Sequence, residues 1–193
     1  MSDRFVDLLR HGEVEGGPCF RGRRDDPLST RGLEQLREAT ALDPGWTALI
    51  SSPARRCVDF ARVLASRLGI EPQILPELAE RDFGDWEGLT AAQIPAPSLS
   101  RFWDDPTGFT PPGGEPHAAF RERVLGGWRR IDAQSTPHAL VLTHGGVVRL
   151  LLAELLGLPA RALLQIEVAP ASLSRLRLPA PPGRPSLMRH GCA

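Results

Sequence analysis

Apolar and polar positions along the chain fall into short strand-length runs, each followed by a helix-length periodic stretch. Phe5-Val6-Asp7-Leu8-Leu9 is an apolar run that stops at a polar, glycine-containing segment, as a buried strand opening onto a loop does. After a Gly/Pro/Arg-rich stretch, Ser29 or Thr30 supplies an N-cap for a helix with Leu33 and Leu36 on one face. Thr47 to Ser51 predicts a second strand. Ser52-Pro53 then reads as N-cap and first position of a helix whose apolar face carries Cys57, Ala61, Leu64 and Leu68 and which Gly69 ends.

A third short strand is expected around Gln73 to Leu75, and a long irregular region rich in Pro, Gly and Trp from about Arg81 to Pro116. The next helix, from about His117 to Ala133, places Phe120, Val124, Trp128 and Ile131 on one side. Ala139 to Thr143 is another apolar run and ends in His144-Gly145-Gly146. Val147 to Leu156 reads as a strongly apolar helix stopped by Gly157 and Pro159. Gln165 to Ala169 and Leu173 to Leu178 would supply closing strands.

Strand-then-helix units with polar motifs at the strand ends predict a three-layer α/β/α sandwich around a mostly parallel central sheet. The expected domain spans residues 1–178. From Pro179 the composition turns to Pro, Gly, Ala and Arg, so residues 179–193 are expected to form a loose tail. That tail holds a second Arg-His-Gly, Arg189-His190-Gly191, which reads as coincidence because no strand leads into it and no helix follows.

Composition narrows the function. The 193 residues are 41% hydrophobic and 24% charged, enough for one core without disulfide staples. Lys plus Arg equals Asp plus Glu at 23 each, so no overall field draws in nucleic acid or an anionic membrane. Any anion site must be local. With no secretory h-region and no stretch of membrane-spanning length, the expectation is a cytoplasmic protein. Cys19, Cys57 and Cys192 are scattered and unpaired by any CxxC spacing, which suggests neither a disulfide framework nor a zinc site.

Candidate chemistry gathers at the strand ends. A parallel sheet could bring Arg10-His11-Gly12 and Thr143-His144-Gly145 to one edge as a paired-histidine site. Arg10, with Arg55 and Arg56 at the opening of the second predicted helix, adds fixed charge there, in the forked geometry that suits phosphate oxygens. The loop around Leu78 to Gly88 offers Glu80, Asp82, Asp85 and Glu87 as general acids. The residues alone do not choose among them.

Taken in order, these segments resemble the histidine phosphatase superfamily, which includes the cofactor-dependent phosphoglycerate mutases. The similarity rests on Leu9-Arg10-His11-Gly12-Glu13 with Arg21-Gly22 and Asp26-Pro27-Leu28-Ser29, on Ser51-Ser52-Pro53 with Arg56, on Glu80 with Phe83-Gly84-Asp85-Trp86-Glu87-Gly88, and on Thr143-His144-Gly145-Gly146. It covers roughly residues 4 to 178. The resemblance implies His11 as nucleophile, Arg10, Arg56 and His144 as holders of the phosphoryl oxygens, and Glu80 as proton donor. Arg21, Gly22 and Gly145 match further substrate-binding positions. No cofactor or metal is implied, because the arginines supply the positive charge, and a protonated His144 would add to it.

Within the superfamily the chain most resembles the bacterial α-ribazole phosphatases of cobalamin biosynthesis, through Phe83 to Gly88, Phe102-Trp103 and Phe109 to Pro116. The implied partner is a small phosphorylated metabolite, and a homodimer joined through a sheet edge is compatible with the sequence. One departure is Val14 followed by Gly16-Gly17, where many relatives carry Thr and then Asn. The short, Pro-rich stretch from Thr90 to Pro116 leaves little chain for a sealing lid, which favours hydrolysis over mutase activity; the alternative within the superfamily is a phosphatase or mutase for another small phosphorylated metabolite, a sugar phosphate or phosphoglycerate. The non-enzymatic alternative is a phosphate-binding scaffold.

Overall fold

A computed structural model describes residues 3–191. Its single mixed sheet has the strand order β3-β2-β4-β1-β5-β6, built from β1 (Arg4–Arg10), β2 (Ala48–Ser51), β3 (Pro72–Ile74), β4 (His138–Thr143), β5 (Leu173–Leu178) and β6 (Ser186–Gly191). The pairings among β3, β2, β4 and β1 are parallel, and β5 and β6 join antiparallel. Five helices flank it: α1 (Thr30–Ala39), α2 (Arg55–Leu68), α3 (Ala96–Asp104), α4 (His117–Ala133) and α5 (Gly145–Leu156).

The three layers follow from the alternation of side chains along the strands. Leu9, Leu49, Leu140 and Leu142 pack with Leu36 of α1 and with Cys57, Phe60, Ala61 and Leu64 of α2. Their sequence neighbours Leu8, Ile50, Ala139 and Val141 pack on the opposite face with α4 and α5. All six residues of β4 are buried. Truncating one of them, such as Leu142→Ala, would cost about 2–5 kcal/mol.

Local signals explain most boundaries. The Ser29 side chain accepts from the Gly32 amide and caps α1. Gly69 and Gly157 close α2 and α5 in the left-handed conformation. The expected start of α2 is corrected: its N-cap is Ala54, not Ser52, and the cap comes from afar, with the Arg55 amide donating to Asp25 Oδ1 at 2.7 Å. Ser52 turns inward, where its Oγ accepts from the Ala54 amide at 3.4 Å and lies 2.7 Å from His144 Nε2.

Three other expectations are corrected. The irregular region contains α3, whose start Pro95 and Ala96-Pro97 set by fixing φ without needing amide partners. The segment Gln165–Ala169 forms no strand; a 3-10 helix over Ala160–Gln165 runs into irregular backbone. The tail expected to be loose contains β6, which pairs with β5 across a bulge between Arg175 and Leu176. An exposed edge strand buries little, so its composition reads as disorder even though the β5 ladder orders it. Arg189 and His190 sit in that strand.

Candidate active site

The β1, β2 and β4 strands end side by side. Arg10 pairs with Thr143, and Ser51 with Leu142, so His11, Ser52 and His144 emerge together at the carboxyl edge. Backbone bonds continue past the strands, from the His11 amide to Thr143 O at 2.9 Å and from the Ser52 amide to Leu142 O at 2.9 Å. Each residue thus leaves the sheet in fixed register. The His11 and His144 rings meet edge to face with centroids 5.2 Å apart.

His11 Nδ1 lies 2.8 Å from Gly12 O. A carbonyl only accepts, so Nδ1 carries the proton and Nε2 keeps its lone pair. Burial, followed by the Arg10 and Arg56 charges, pushes the His11 pKa down to about 3. The imidazole is neutral throughout the physiological range.

His144 is fully buried, and its Nδ1 accepts from Arg56 Nε at 3.3 Å while its Nε2 lies 2.7 Å from Ser52 Oγ. A ring that accepts at Nδ1 is neutral and donates through Nε2. Burial first, then Arg56, holds its pKa well below the ordinary histidine value. This corrects the expectation of a protonated His144. Arg56, also fully buried, donates from Nη1 to Arg24 O at 2.7 Å and from Nη2 to Gly22 O at 2.8 Å.

Arg10 is held differently. Its Nη1 donates to Val168 O at 2.6 Å, and its buried Nε finds no acceptor among the described residues. An unmatched buried guanidinium N–H is costly unless an anion meets it. Arg10, His11, Arg21, Glu80 and Gly145 line one cleft of about 350 Å³.

Of the four candidate acids, only Glu80 reaches that cleft. Its Oε1 accepts from the Arg81 amide at 3.0 Å and its Oε2 from the Gly146 amide at 2.8 Å. Glu87 is occupied in the scaffold, accepting from the amides of Gly22, Arg23, Arg24 and Phe83. Asp82 accepts from the Gly84 amide and pairs with Arg23.

Two expected binding residues turn elsewhere. The Gly22 amide points to Glu87 and its carbonyl to Arg56, so Gly22 builds the wall rather than offering a donor to substrate. Arg21 lines the cleft, yet its Nε binds Asp26 Oδ2 and its Nη2 the Glu15 and Gly17 carbonyls, leaving it mainly a brace for the loop.

Arg149, which sequence reasoning missed, lines the same cleft. It stands one helical turn beyond Gly145, on the face that α5 presents to the strand ends, and that spacing was the available signal. Ser52 was missed because a Ser-Pro pair reads as a helix cap. A second cavity of about 330 Å³ shares Phe20, Glu80, Phe83, Trp103 and Arg149 with the first. Phe102, Phe120, His117 and Leu163 extend it into an apolar, aromatic chamber. Glu80 stands at the junction.

Cys57 is buried against the site and its thiol pKa is raised to about 12 by burial, so it is an inert packing residue; Cys192 lies outside the described residues. Among the described residues no helix is long and apolar enough to cross a membrane.

A sheet edge that joins two neutral histidines, buried arginines and one carboxylate has the charge and shape to hold a phosphoryl group. The chain belongs to the histidine phosphatase superfamily (branch 1), whose profile matches residues 6–191, extending through β6. It is a phosphoric monoester hydrolase by class. It is 34% identical over 169 residues to the adenosylcobalamin/α-ribazole phosphatase of Escherichia coli (strain K12), covering 83% of each chain. It is also 34% identical to a glucosyl-3-phosphoglycerate phosphatase of Mycolicibacterium vanbaalenii, covering 82% of this chain and 77% of that one. The crystal structure of the α-ribazole phosphatase from Shigella flexneri superposes with a TM-score of 0.84 at 29% identity, covering 98% of this chain and 96% of that one.

Proposed function

We propose that this enzyme is a metal-independent phosphomonoesterase acting through a phosphohistidine on His11, with α-ribazole 5′-phosphate as its substrate. The observation that carries the chemistry is the His11 ring itself. Its Nδ1 proton is committed to Gly12 O, so the Nε2 lone pair is free to attack phosphorus in line with the departing oxygen. Arg10, with its unmatched Nε, receives the phosphoryl oxygens at the cleft wall, and Arg56 and His144, buried behind that lining and bound to each other, to Ser52 and to the Gly22 and Arg24 carbonyls, brace the wall, with Arg56 adding fixed positive charge.

Glu80 protonates the leaving alcohol and then takes a proton from the water that cleaves the phosphohistidine. Its place between the two cavities is where a bridging oxygen would lie, with the phosphoryl group on one side and the leaving group on the other. Removing a single charge-stabilising donor would cost on the order of 10² to 10³ in rate.

The chamber beyond Glu80 supports the narrower reading. Phe20, Phe83, Phe102 and Trp103 offer π faces and edges, and a flat benzimidazole nucleoside fills such a space better than a hydroxylated sugar would. A cytoplasmic location accompanies this reading, since both the nucleotide and its pathway would be intracellular.

Phosphate release from α-ribazole 5′-phosphate, glucosyl-3-phosphoglycerate and a panel of small monoesters, without added metal, tests both levels. Wild type and His11→Ala are compared, and acid-labile, base-stable label on the protein is sought. The expected result is release abolished in His11→Ala, a labelled His11 in wild type, and kcat/KM highest for the ribazole ester. Preference for the glucosyl ester would discard the substrate and keep the chemistry; absence of His11-dependent turnover would discard both.

A further inference from the structure

The segment Ile166-Glu167-Val168 runs behind the cleft without strand or helix, so its three carbonyls need partners outside a ladder. Side chains provide all three. Arg149 Nε donates to Ile166 O at 2.8 Å, His190 Nε2 lies 2.6 Å from Glu167 O, and Arg10 Nη1 donates to Val168 O at 2.6 Å. The two outer carbonyls therefore orient the two arginines that line the phosphoryl cleft, and the middle one is pinned by the C-terminal strand.

His190 belongs to the second Arg-His-Gly of the chain. Its other nitrogen, Nδ1, lies 2.7 Å from Oγ of the buried Ser174, so the ring is gripped at both ends although the residue is exposed. Because Glu167 O only accepts, Nε2 carries the proton, and in the neutral ring Ser174 Oγ donates to Nδ1. Ser174 is in β5 opposite His190, and β5 is paired with β1, which ends at Arg10. The clamp thus ties the loop to the same strand ladder that carries the reactive residues.

Arg10 depends on this tie more than its neighbour Arg56 does. Among the described residues Arg56 has three acceptors for its guanidinium, whereas Arg10 has Val168 O alone. A shift of that one carbonyl redirects the group that meets the phosphoryl oxygens.

We infer that His190 is a positioning residue for phosphoryl binding: through Glu167 O it fixes the Ile166–Val168 carbonyls that aim Arg10 and Arg149 into the cleft. The inference rests on the reading that Arg10 holds the phosphoryl group. The C-terminal strand is then part of the working site and not an appendage to it.

The test compares wild type, His190→Ala, His190→Gln, Leu187→Ser, Arg10→Ala and the His190→Ala/Arg10→Ala pair, measuring kcat, KM and the inhibition constant of inorganic phosphate, with Tm for each. His190→Ala should raise KM and the phosphate inhibition constant on the order of 10-fold. His190→Gln, which keeps an N–H for Glu167 O, should recover most of that loss. Leu187→Ser weakens the same exposed strand without touching the loop and should leave the kinetics at wild-type values even if Tm falls. The double variant should lose less than the sum of the two single losses, because the part of the His190 effect that runs through Arg10 is already gone and only the part through Arg149 remains. Unchanged phosphate binding in His190→Ala, a matching kinetic loss in Leu187→Ser, or additive losses in the double variant would overturn the inference. Wild-type behaviour of Arg10→Ala would instead overturn the reading of the site on which it stands.

Discussion

Glu80 and Gly146 fit against each other so closely that the glycine leaves no room for a side chain. The Gly146 amide donates to Glu80 Oε2 at 2.8 Å, and a Cβ on Gly146 would overlap Oε1 of the same carboxylate. The first turn of α5 therefore holds the proposed acid by a hydrogen bond on one oxygen and by lack of space at the other.

That fit makes Gly146→Ala a probe of acid placement. The methyl must displace the carboxylate, and misplacement on this scale costs on the order of 10²-fold in kcat. The phosphate inhibition constant should change little, since Arg10 and His11 are untouched. With a leaving group that departs without a proton, such as p-nitrophenolate, the loss should shrink severalfold; an equal loss on all esters would mean that Glu80 is not the acid.

Neutral buried histidines make stability depend on pH. The folded His11 pKa of about 3 and the depressed His144 value lie below the unfolded value of 6.5, so the unfolded chain binds more protons between them. Stability is full above about pH 6.5 and is lost as pH falls, at about 1.4 kcal/mol per pH unit for each histidine. Urea unfolding at pH 7, 6 and 5 should show His11→Gln flattening the slope by about that amount per unit. An unchanged slope would mean that His11 is not held neutral by the fold.

The unmatched Arg10 Nε predicts that inorganic phosphate stabilises the folded protein. At about 100 times its Kd, phosphate adds about 2.7 kcal/mol, worth about 5–10 °C in Tm for a chain of this size. Arg10→Leu at the same phosphate concentration should lose most of that shift. Sulfate-insensitive, phosphate-insensitive melting in wild type would speak against an anion site.

Where the chain could be read in advance, the physics was local. The strand before His11, the Ser29 cap and the Gly69 and Gly157 stops each declare themselves within a few residues, and two apolar strands ending in Arg-His-Gly and Thr-His-Gly place the histidines together at one sheet edge. What stayed hidden depends on partners distant in sequence. Asp25 caps α2 from another loop, and Ser52 reaches His144. Glu87 matches the composition of a general acid, and only the fold reveals the backbone amides it serves. In the sequence no strand leads into Arg189-His190 and no helix follows, and only pairing with β5 makes its segment a strand; at the strand expected over Gln165–Ala169, the Ile166, Glu167 and Val168 carbonyls instead serve Arg149, His190 and Arg10.

The aromatic chamber yields the sharpest separation between candidate substrates. Trp103 is half exposed at its mouth and stacks edge to face on Phe102, 5.1 Å between centroids, while Phe20 contacts Phe83, Trp86, Phe102 and Trp103. Trp103→Ala removes a wall of the chamber at little cost to the core. Stacking of one base on an aromatic side chain is worth about 1–3 kcal/mol, about 5- to 150-fold in affinity. KM for α-ribazole 5′-phosphate should rise within that range, whereas KM for glycerol phosphate, which has no ring to stack, should stay within about twofold, the scatter of surface substitutions. Equal effects on both esters would place the leaving group outside the chamber and remove the structural support for a benzimidazole substrate.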